Sequence, residues 1–273
     1  MHGAAPMPLT AAELAVVPLA ADRVGKTYGD PGGALNEVIG EISFSLKKGE
    51  IVSLVGPSGC GKTTLLNMLS GLSPPSKGQV LWHGEILRDV PKGIGYMLQK
   101  DMLMTWRTAL GNVALGLEMT GLARPYREQK ARRMLDKVGL GAYWDHYPNA
   151  LSGGMRQRVA LARTLVMEPE LMLLDEPFAA LDFQTKMVLE GDMTKLVRSE
   201  GRSLLLITHD VEEAVSISDR VIVLTHRPSR VKTIHNIELP GNRDDLMAVR
   251  DSREFTAYVR RIWSELDVRM GER

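Results

Sequence analysis

The sequence predicts an α/β fold with a mostly parallel core sheet, a helical insertion in the middle of the chain and a small antiparallel sheet at the N-terminus. Three observations carry this expectation. Short apolar runs at 51–55, 171–174, 204–207 and 221–224 each follow a polar or helical stretch, the pattern of parallel strands joined by helical crossovers. Between about 107 and 165 apolar residues fall at helical spacing, as at Ala131, Met134, Leu135 and Val138. Nearer the N-terminus the spacing shortens to two, with Ile42, Phe44 and Leu46 on one face.

Residues 1–20 are rich in Ala, Pro and Thr without a period and read as a poorly ordered lead-in. From Asp22 the pattern becomes strand-like and runs to Tyr28, where the Gly, Pro and Asp residues of 29–33 mark a turn. A polar turn at 47–50 precedes the buried strand Ile51–Val55, which feeds a glycine-rich loop. Residues 62–70 then form a helix with Leu65, Leu66 and Leu69 on one face, stopped at Gly71. Gly139 is placed to cap the helix that carries Val138. At the C-terminus Phe255, Val259, Ile262 and Leu266 define a final amphipathic helix.

Composition narrows the function classes. Lys plus Arg is 34 and Asp plus Glu is 33, so the net charge of +1 argues against a chain built to coat nucleic acid or an anionic membrane. No run reaches the roughly 18 apolar residues of a membrane-spanning helix. Glu13 interrupts the apolar N-terminal stretch and no Lys or Arg precedes Arg23, so a secretory signal is not expected. Cys60 is the single cysteine, which excludes an internal disulfide and suits a reducing compartment.

The chemistry begins at Gly56-Pro57-Ser58-Gly59-Cys60-Gly61-Lys62-Thr63, which fits G-x-x-x-x-G-K-[ST] between a predicted strand and a predicted helix. Glycines there let backbone amides converge on phosphate oxygens, and the helix N-terminus adds a positive dipole. Lys62 is suited to the β- and γ-phosphates and the Thr63 hydroxyl to Mg2+. Cys60 inside this loop reads as a small filler rather than a reactive group. Further on, the run at 171–174 delivers two consecutive carboxylates, Asp175 and Glu176, at a strand C-terminus. Asp175 suits Mg2+ and Glu176 can polarise an attacking water as a general base. Ser152-Gly153-Gly154 reads as a capped helix start with unobstructed amides, a second anion site.

Taken together these motifs resemble those of the ATP-binding subunits of ATP-binding-cassette (ABC) transporters, over nearly all of the stretch from Asp22 to Leu224. The resemblance implies a P-loop NTPase fold of ABC type with ATP and Mg2+ as cofactors. It assigns residues 21–245 to the ATPase domain, with its helical insertion at about 100–165, and residues 246–273 to a C-terminal amphipathic helix. It implies that Tyr28 stacks on adenine and that Gly56 to Thr63, with Thr64, hold the phosphates. Gln99 would sense Mg2+, γ-phosphate and a membrane partner, and Asp175 and Thr63 would hold the metal. Ser152, Gly153 and Gly154 would close on ATP held by the opposite subunit, Ala180-Leu181-Asp182 would communicate across the dimer, and His209 would contact the γ-phosphate. Met155 stands where many members have Gln.

The stretch from Gln99 through Trp106, Asn112 and Leu117 is similar to the nitrate/sulfonate/taurine importer subgroup, as are residues 151–158 and 227–230. This implies a bacterial importer of a small solute, an anion such as a sulfonate, taurine or nitrate, with thiamine precursors as another cargo of the subgroup. A homodimer of ATP-binding subunits, transmembrane permease subunits and, indirectly, a periplasmic solute-binding protein are the implied partners, and no nucleic acid. The expected location is peripheral, on the cytoplasmic face of the inner membrane. The apolar residues 102–106 fit either a groove for a membrane subunit or the core of the insertion. A soluble ABC ATPase is the competing class, although the long coiled coils or paired cassettes of such chains are not seen.

Overall fold

A computed structural model describes residues 17–29, 35–241 and 245–266 of the chain. In chain order the elements are β1 (Leu19–Gly29), β2 (Leu35–Leu46), β3 (Ile51–Val55), α1 (Lys62–Leu69), β4 (Lys77–Trp82), β5 (Glu85–Ile86) and β6 (Ile94–Met97). The helices α2 (Ala109–Val113), α3 (Arg124–Lys137) and α4 (Gly153–Leu165) lead to β7 (Leu171–Asp175), α5 (Phe183–Ser199) and β8 (Ser203–Ile207). The chain continues through α6 (Val211–Ile217), β9 (Arg220–Leu224), β10 (Ser229–Asn236), α7 (Leu246–Arg250) and α8 (Arg253–Glu265). Of the described residues, those up to Pro91 and from Thr194 onward form one compact unit, and Lys92–Met193 a second.

In the first unit the strand order is β5-β4-β1-β2-β10-β9-β3-β8. The strand β3 pairs in parallel with β8 and β9, as the three apolar runs predict, and all five of its residues are buried. Such two-sided burial is why these strands read as continuous apolar runs rather than alternating ones. The expected N-terminal antiparallel sheet is present as β1, β2, β4 and β5. It starts at Leu19, so the last two residues of the expected 1–20 lead-in belong to β1 and are buried. Residues 1–16 of that lead-in and the turn residues 30–34 lie outside the described residues. The antiparallel strand β10 was not foreseen. It pairs with β9, and at Ser229 and Arg230 runs parallel to β2.

Leu65, Leu66 and Leu69 are fully buried on α1, and each removal of such a side chain from water stabilises by about 1.5–3 kcal/mol. At the C-terminus two helices replace the single expected one. Asp251 ends the first, and Ser252 caps the second, its hydroxyl accepting from the Phe255 amide at 3.2 Å. Phe255, Ile262 and Leu266 then pack with Val211, Val215, Val221 and Ile237. Residues 267–273 of the expected 246–273 helix lie outside the described residues.

In the second unit β6 and β7 pair in parallel from Ile94↔Leu171 to Met97↔Leu174. This unit therefore exceeds the expected insertion at 100–165, because it includes both strands that lead into its functional loops. The helical part follows the sequence expectation. Ala131, Met134, Leu135 and Val138 are buried, and Gly139 takes the left-handed backbone (φ +72°) that ends the helix.

Candidate functional site

The first unit builds a phosphate-type loop from the end of β3. Gly59 and Gly61 have φ of +74° and +112°, the region that favours glycine. A Cβ on Gly61 would also lie 2.8 Å from Val38 Cγ1 and 2.9 Å from Ile39 Cδ1, so this glycine is what lets the loop settle on β2. Gly61 is the N-cap of α1 and contributes no side-chain cap, so no capping side chain stands over the first amides of the helix. That arrangement fits an anion, because uncapped N–H groups and the helix dipole both point out of the N-terminus. The Lys62 ammonium, buried with the loop, donates to the carbonyl oxygens of Gly56 at 2.8 Å and Pro57 at 3.1 Å. It is thereby held over the loop by two weak acceptors that a phosphate oxygen would outcompete.

Ser58, Gly59 and Thr63 are exposed, Pro57 and Thr64 half-buried, and Gly56 and Cys60 buried. Burial of Cys60 agrees with its reading as a filler. Tyr28 lies exposed at the end of β1, paired with Asn36 of β2, with the Lys26 ammonium 5.3 Å from its ring centroid. His209 is exposed just beyond β8, where Asp210 caps α6 by accepting from the amides of Glu212 at 2.9 Å and Glu213 at 3.2 Å.

The second unit gathers the remaining residues into three adjoining groups. At the end of β7, Asp175 is buried and Glu176 half-buried, the latter with a φ of +49°. A non-glycine residue in that region persists only where its surroundings hold it, and such residues concentrate at functional sites. Gln99 Nε2 donates to Glu176 Oε2 at 3.0 Å, joining two residues that the sequence places far apart. Burial, and then the charge of Asp175, push the Tyr96 hydroxyl well above the ordinary tyrosine range. A buried carboxylate of that kind suits a divalent cation.

Ser152 caps α4, its hydroxyl accepting from the Met155 amide at 3.2 Å. Its own O–H remains a donor that this acceptance does not consume. A Cβ on Gly153 would meet open space apart from the end of the Arg156 side chain at 3.8 Å, whereas one on Gly154 would lie 3.0 Å from Leu181 Cδ2. The loop at Ser152 is thus packed against the loop at 180–182. Asp182 accepts from the Thr185 amide at 3.0 Å, and its carboxyl is held below the usual range, first by that backbone bond and then by the Thr185 side chain.

Sequence reasoning missed the clamp between the Gln99 loop and α4. Arg156 Nε donates to Asp101 Oδ2 at 3.0 Å, and Arg163 donates to the carbonyl oxygens of Asp101 at 2.6 Å and Met102 at 2.8 Å. Burial lowers the Arg163 guanidinium, opposed by the charge of Asp101. The fully buried Asn112 shapes the rest of this loop, accepting from the Met104 amide at 2.7 Å and donating to the carbonyls of Met104, Arg107 and Thr108. Residues 102–106 divide between the interior and the surface. Leu103 is buried, while Met102 is 56 % and Trp106 72 % exposed.

A glycine-rich loop of this spacing at a strand–helix junction, in a chain that also carries Asp-Glu at a strand end, defines a P-loop nucleotide hydrolase. Residues 39–179 match the ABC transporter family. The chain is 44 % identical over 226 residues to an uncharacterized ABC transporter ATP-binding protein of Methanocaldococcus jannaschii, covering 83 % of each. It is 37 % identical to a taurine import ATP-binding protein of Burkholderia pseudomallei, covering 87 % of this chain and 92 % of that one. To the nitrate import ATP-binding protein NrtC of Synechococcus elongatus it is 38 % identical, over 84 % of this chain and 35 % of that longer protein. Among solved structures it resembles a dimeric post-hydrolysis ATP-binding cassette bound to ADP and Pi, at a TM-score of 0.75 and 31 % identity, covering 81 % of this chain and 99 % of that one. The chain belongs to the ABC transporter family and is an ATP-binding, ATP-hydrolysing subunit of that type.

Proposed function

We propose that this protein drives uptake of a small anion, of the nitrate, sulfonate or taurine kind, by hydrolysing ATP at a head-to-tail homodimer interface on the inner face of the bacterial membrane. The observation that carries the catalytic half of this reading is the bond from Gln99 Nε2 to Glu176 Oε2 at 3.0 Å. A general base must be oriented as well as basic, and Gln99 holds in place the carboxylate that would take the proton of the attacking water. Amides of residues 58–63 and the Lys62 ammonium bind the phosphates, Tyr28 receives the adenine, and His209 contacts the γ-phosphate. Thr63, Gln99 and Asp175 are the residues that would hold Mg2+, which when bound neutralises charge on the phosphates and the departing group.

In the second copy, Ser152 donates its hydroxyl hydrogen and Gly153 and Gly154 offer open amides to the same γ-phosphate. ATP thus holds two chains together, and its cleavage releases them, a two-state element biased by a ligand. Similarity to nitrate and taurine import subunits supports the cargo class. No helix among the described residues is long and apolar enough to cross a membrane, so the permease is assigned to separate subunits. The exposed Met102 and Trp106 are the surface offered to them, and a periplasmic solute-binding protein completes the system. The test is Glu176→Gln. We expect ATP binding to persist, turnover to fall by about 10²–10⁴-fold, as for other lost general bases, and ATP to convert monomer to dimer in size-exclusion chromatography. Turnover at the native rate would overturn the assignment of the base.

A further inference from the structure

Glu213 is an acidic side chain 3 % exposed, on α6, to which the proposed reaction assigns no part. A buried carboxylate is costly unless its oxygens are satisfied, so its partners indicate what it is for. One is the hydroxyl of Thr208, itself 2 % exposed, which donates to Glu213 Oε2 at 3.2 Å. The same Thr208 oxygen accepts from the Asp210 amide at 3.0 Å, and Asp210 Oδ1 accepts from the Glu213 amide at 3.2 Å. Thr208, Asp210 and Glu213 therefore form a closed ring of hydrogen bonds, and His209 is the residue it encloses along the chain. Thr208 is also anchored to β3, its amide donating to the Leu54 carbonyl at 3.3 Å. Behind Glu213, its carbonyl accepts from the Ser216 hydroxyl at 3.1 Å, and Ser216 Oγ accepts from Arg250 at 3.3 Å.

His209 is exposed and stands between Thr208 and Asp210, so the ring of bonds fixes the backbone on either side of it. We infer that Glu213 is a positioning residue for His209, acting through the Thr208 hydroxyl to hold the histidine on the γ-phosphate. This inference rests on the role proposed above for His209. Loss of the ring should leave nucleotide binding in place and slow the chemical step, because misplacement of a group that acts in the transition state costs turnover more than affinity.

The experiment compares steady-state ATP hydrolysis by the full-length protein and its variants, with thermal melting as a control for folding. Thr208→Val, a near-isosteric change, should lower kcat by about tenfold with KM for ATP within about twofold, and Thr208→Ser should restore it. Glu213→Gln keeps an oxygen acceptor for Thr208 and should lose less than Glu213→Ala. In a His209→Ala background, Thr208→Val should cost nothing further, since the group it positions is gone. An undiminished additional loss in that background overturns the positioning role while leaving His209 itself catalytic. Native turnover in Thr208→Val overturns it as well. Native turnover in His209→Ala alone overturns the assigned role of His209, and this inference with it.

Discussion

The side-chain amide of Gln99 donates to the carboxylate of Glu176 at 3.0 Å across 77 residues of sequence. The two side chains arrive from the ends of neighbouring parallel strands, β6 and β7. That register brings an amide donor onto the proposed base and so orients Glu176. Gln99→Ala removes the orientation and should lower kcat by about tenfold. Gln99→Glu replaces that donor with a like charge beside the base and should cost more turnover than Gln99→Ala. Native turnover in both variants would show that Gln99 does not face the working base.

Lys62 ties the phosphate loop to itself through the carbonyls of Gly56 and Pro57. A phosphate oxygen is a better acceptor than a carbonyl, and a charge-assisted bond is worth about 1.5–3 kcal/mol. Lys62→Ala should weaken ATP binding by about 10–100-fold, read by titration with a fluorescent ATP analogue. Because the ammonium also satisfies two loop carbonyls, the variant should lose some stability even without nucleotide. Unchanged affinity would mean that the ammonium stays on its carbonyls when ATP arrives.

Gly153 and Gly154 adjoin in sequence but face different surroundings. Beyond the end of the Arg156 side chain, a methyl on Gly153 meets open space, whereas on Gly154 it presses on Leu181 Cδ2 at 3.0 Å. Gly153→Ala should leave thermal stability unchanged or slightly raised, since alanine favours helix by up to about 1 kcal/mol. Its cost should appear instead in ATP-induced dimerisation, where a γ-phosphate must approach the bare backbone. Gly154→Ala should lower the melting temperature, because Leu181 has to move and the loop at 180–182 moves with it. Equal melting temperatures for the two variants would contradict the packing of these loops.

The motif-bearing elements were legible in the sequence because their signals are local. The strand Ile51–Val55, the glycine loop and the helix from Lys62 follow from runs of a dozen residues, and Ser152 announces its own helix. What stayed hidden depends on partners distant in the chain. The antiparallel β10 gave no alternation, because its half-buried residues present polar side chains on both faces. No sequence pattern links Asp101, Arg156 and Arg163, and the turn at Met102 (φ +46°) brings two carbonyls within reach of one guanidinium. Glu213 stands in the first turn of α6, and its burial and its bond from Thr208 are marked by no local pattern.

The end of α8 is fastened to β10 by an ion-paired cluster that makes its docking pH-dependent. Glu265 Oε2 lies 2.8 Å from His235 Nε2 and accepts from the Thr233 hydroxyl, while Lys232 donates to the Glu265 carbonyl at 2.5 Å. Burial raises the Glu265 carboxyl, but the bonds from Thr233 and His235, and the charges of His235 and Arg261, outweigh it and leave it below the ordinary range. A carboxylate whose folded pKa is depressed binds its proton less readily than in the unfolded chain. Its stabilisation is therefore present in full above the unfolded value of about 4.3 and drains away as pH falls through the lower folded value. Between about pH 7 and pH 3 the native protein should lose more melting temperature than Glu265→Gln, which carries no titrating group there. The difference between the two curves should be largest at neutral pH and vanish at the acid end. Parallel curves would show that Glu265 contributes nothing that depends on its charge, and that α8 is held by Phe255, Ile262 and Leu266 alone.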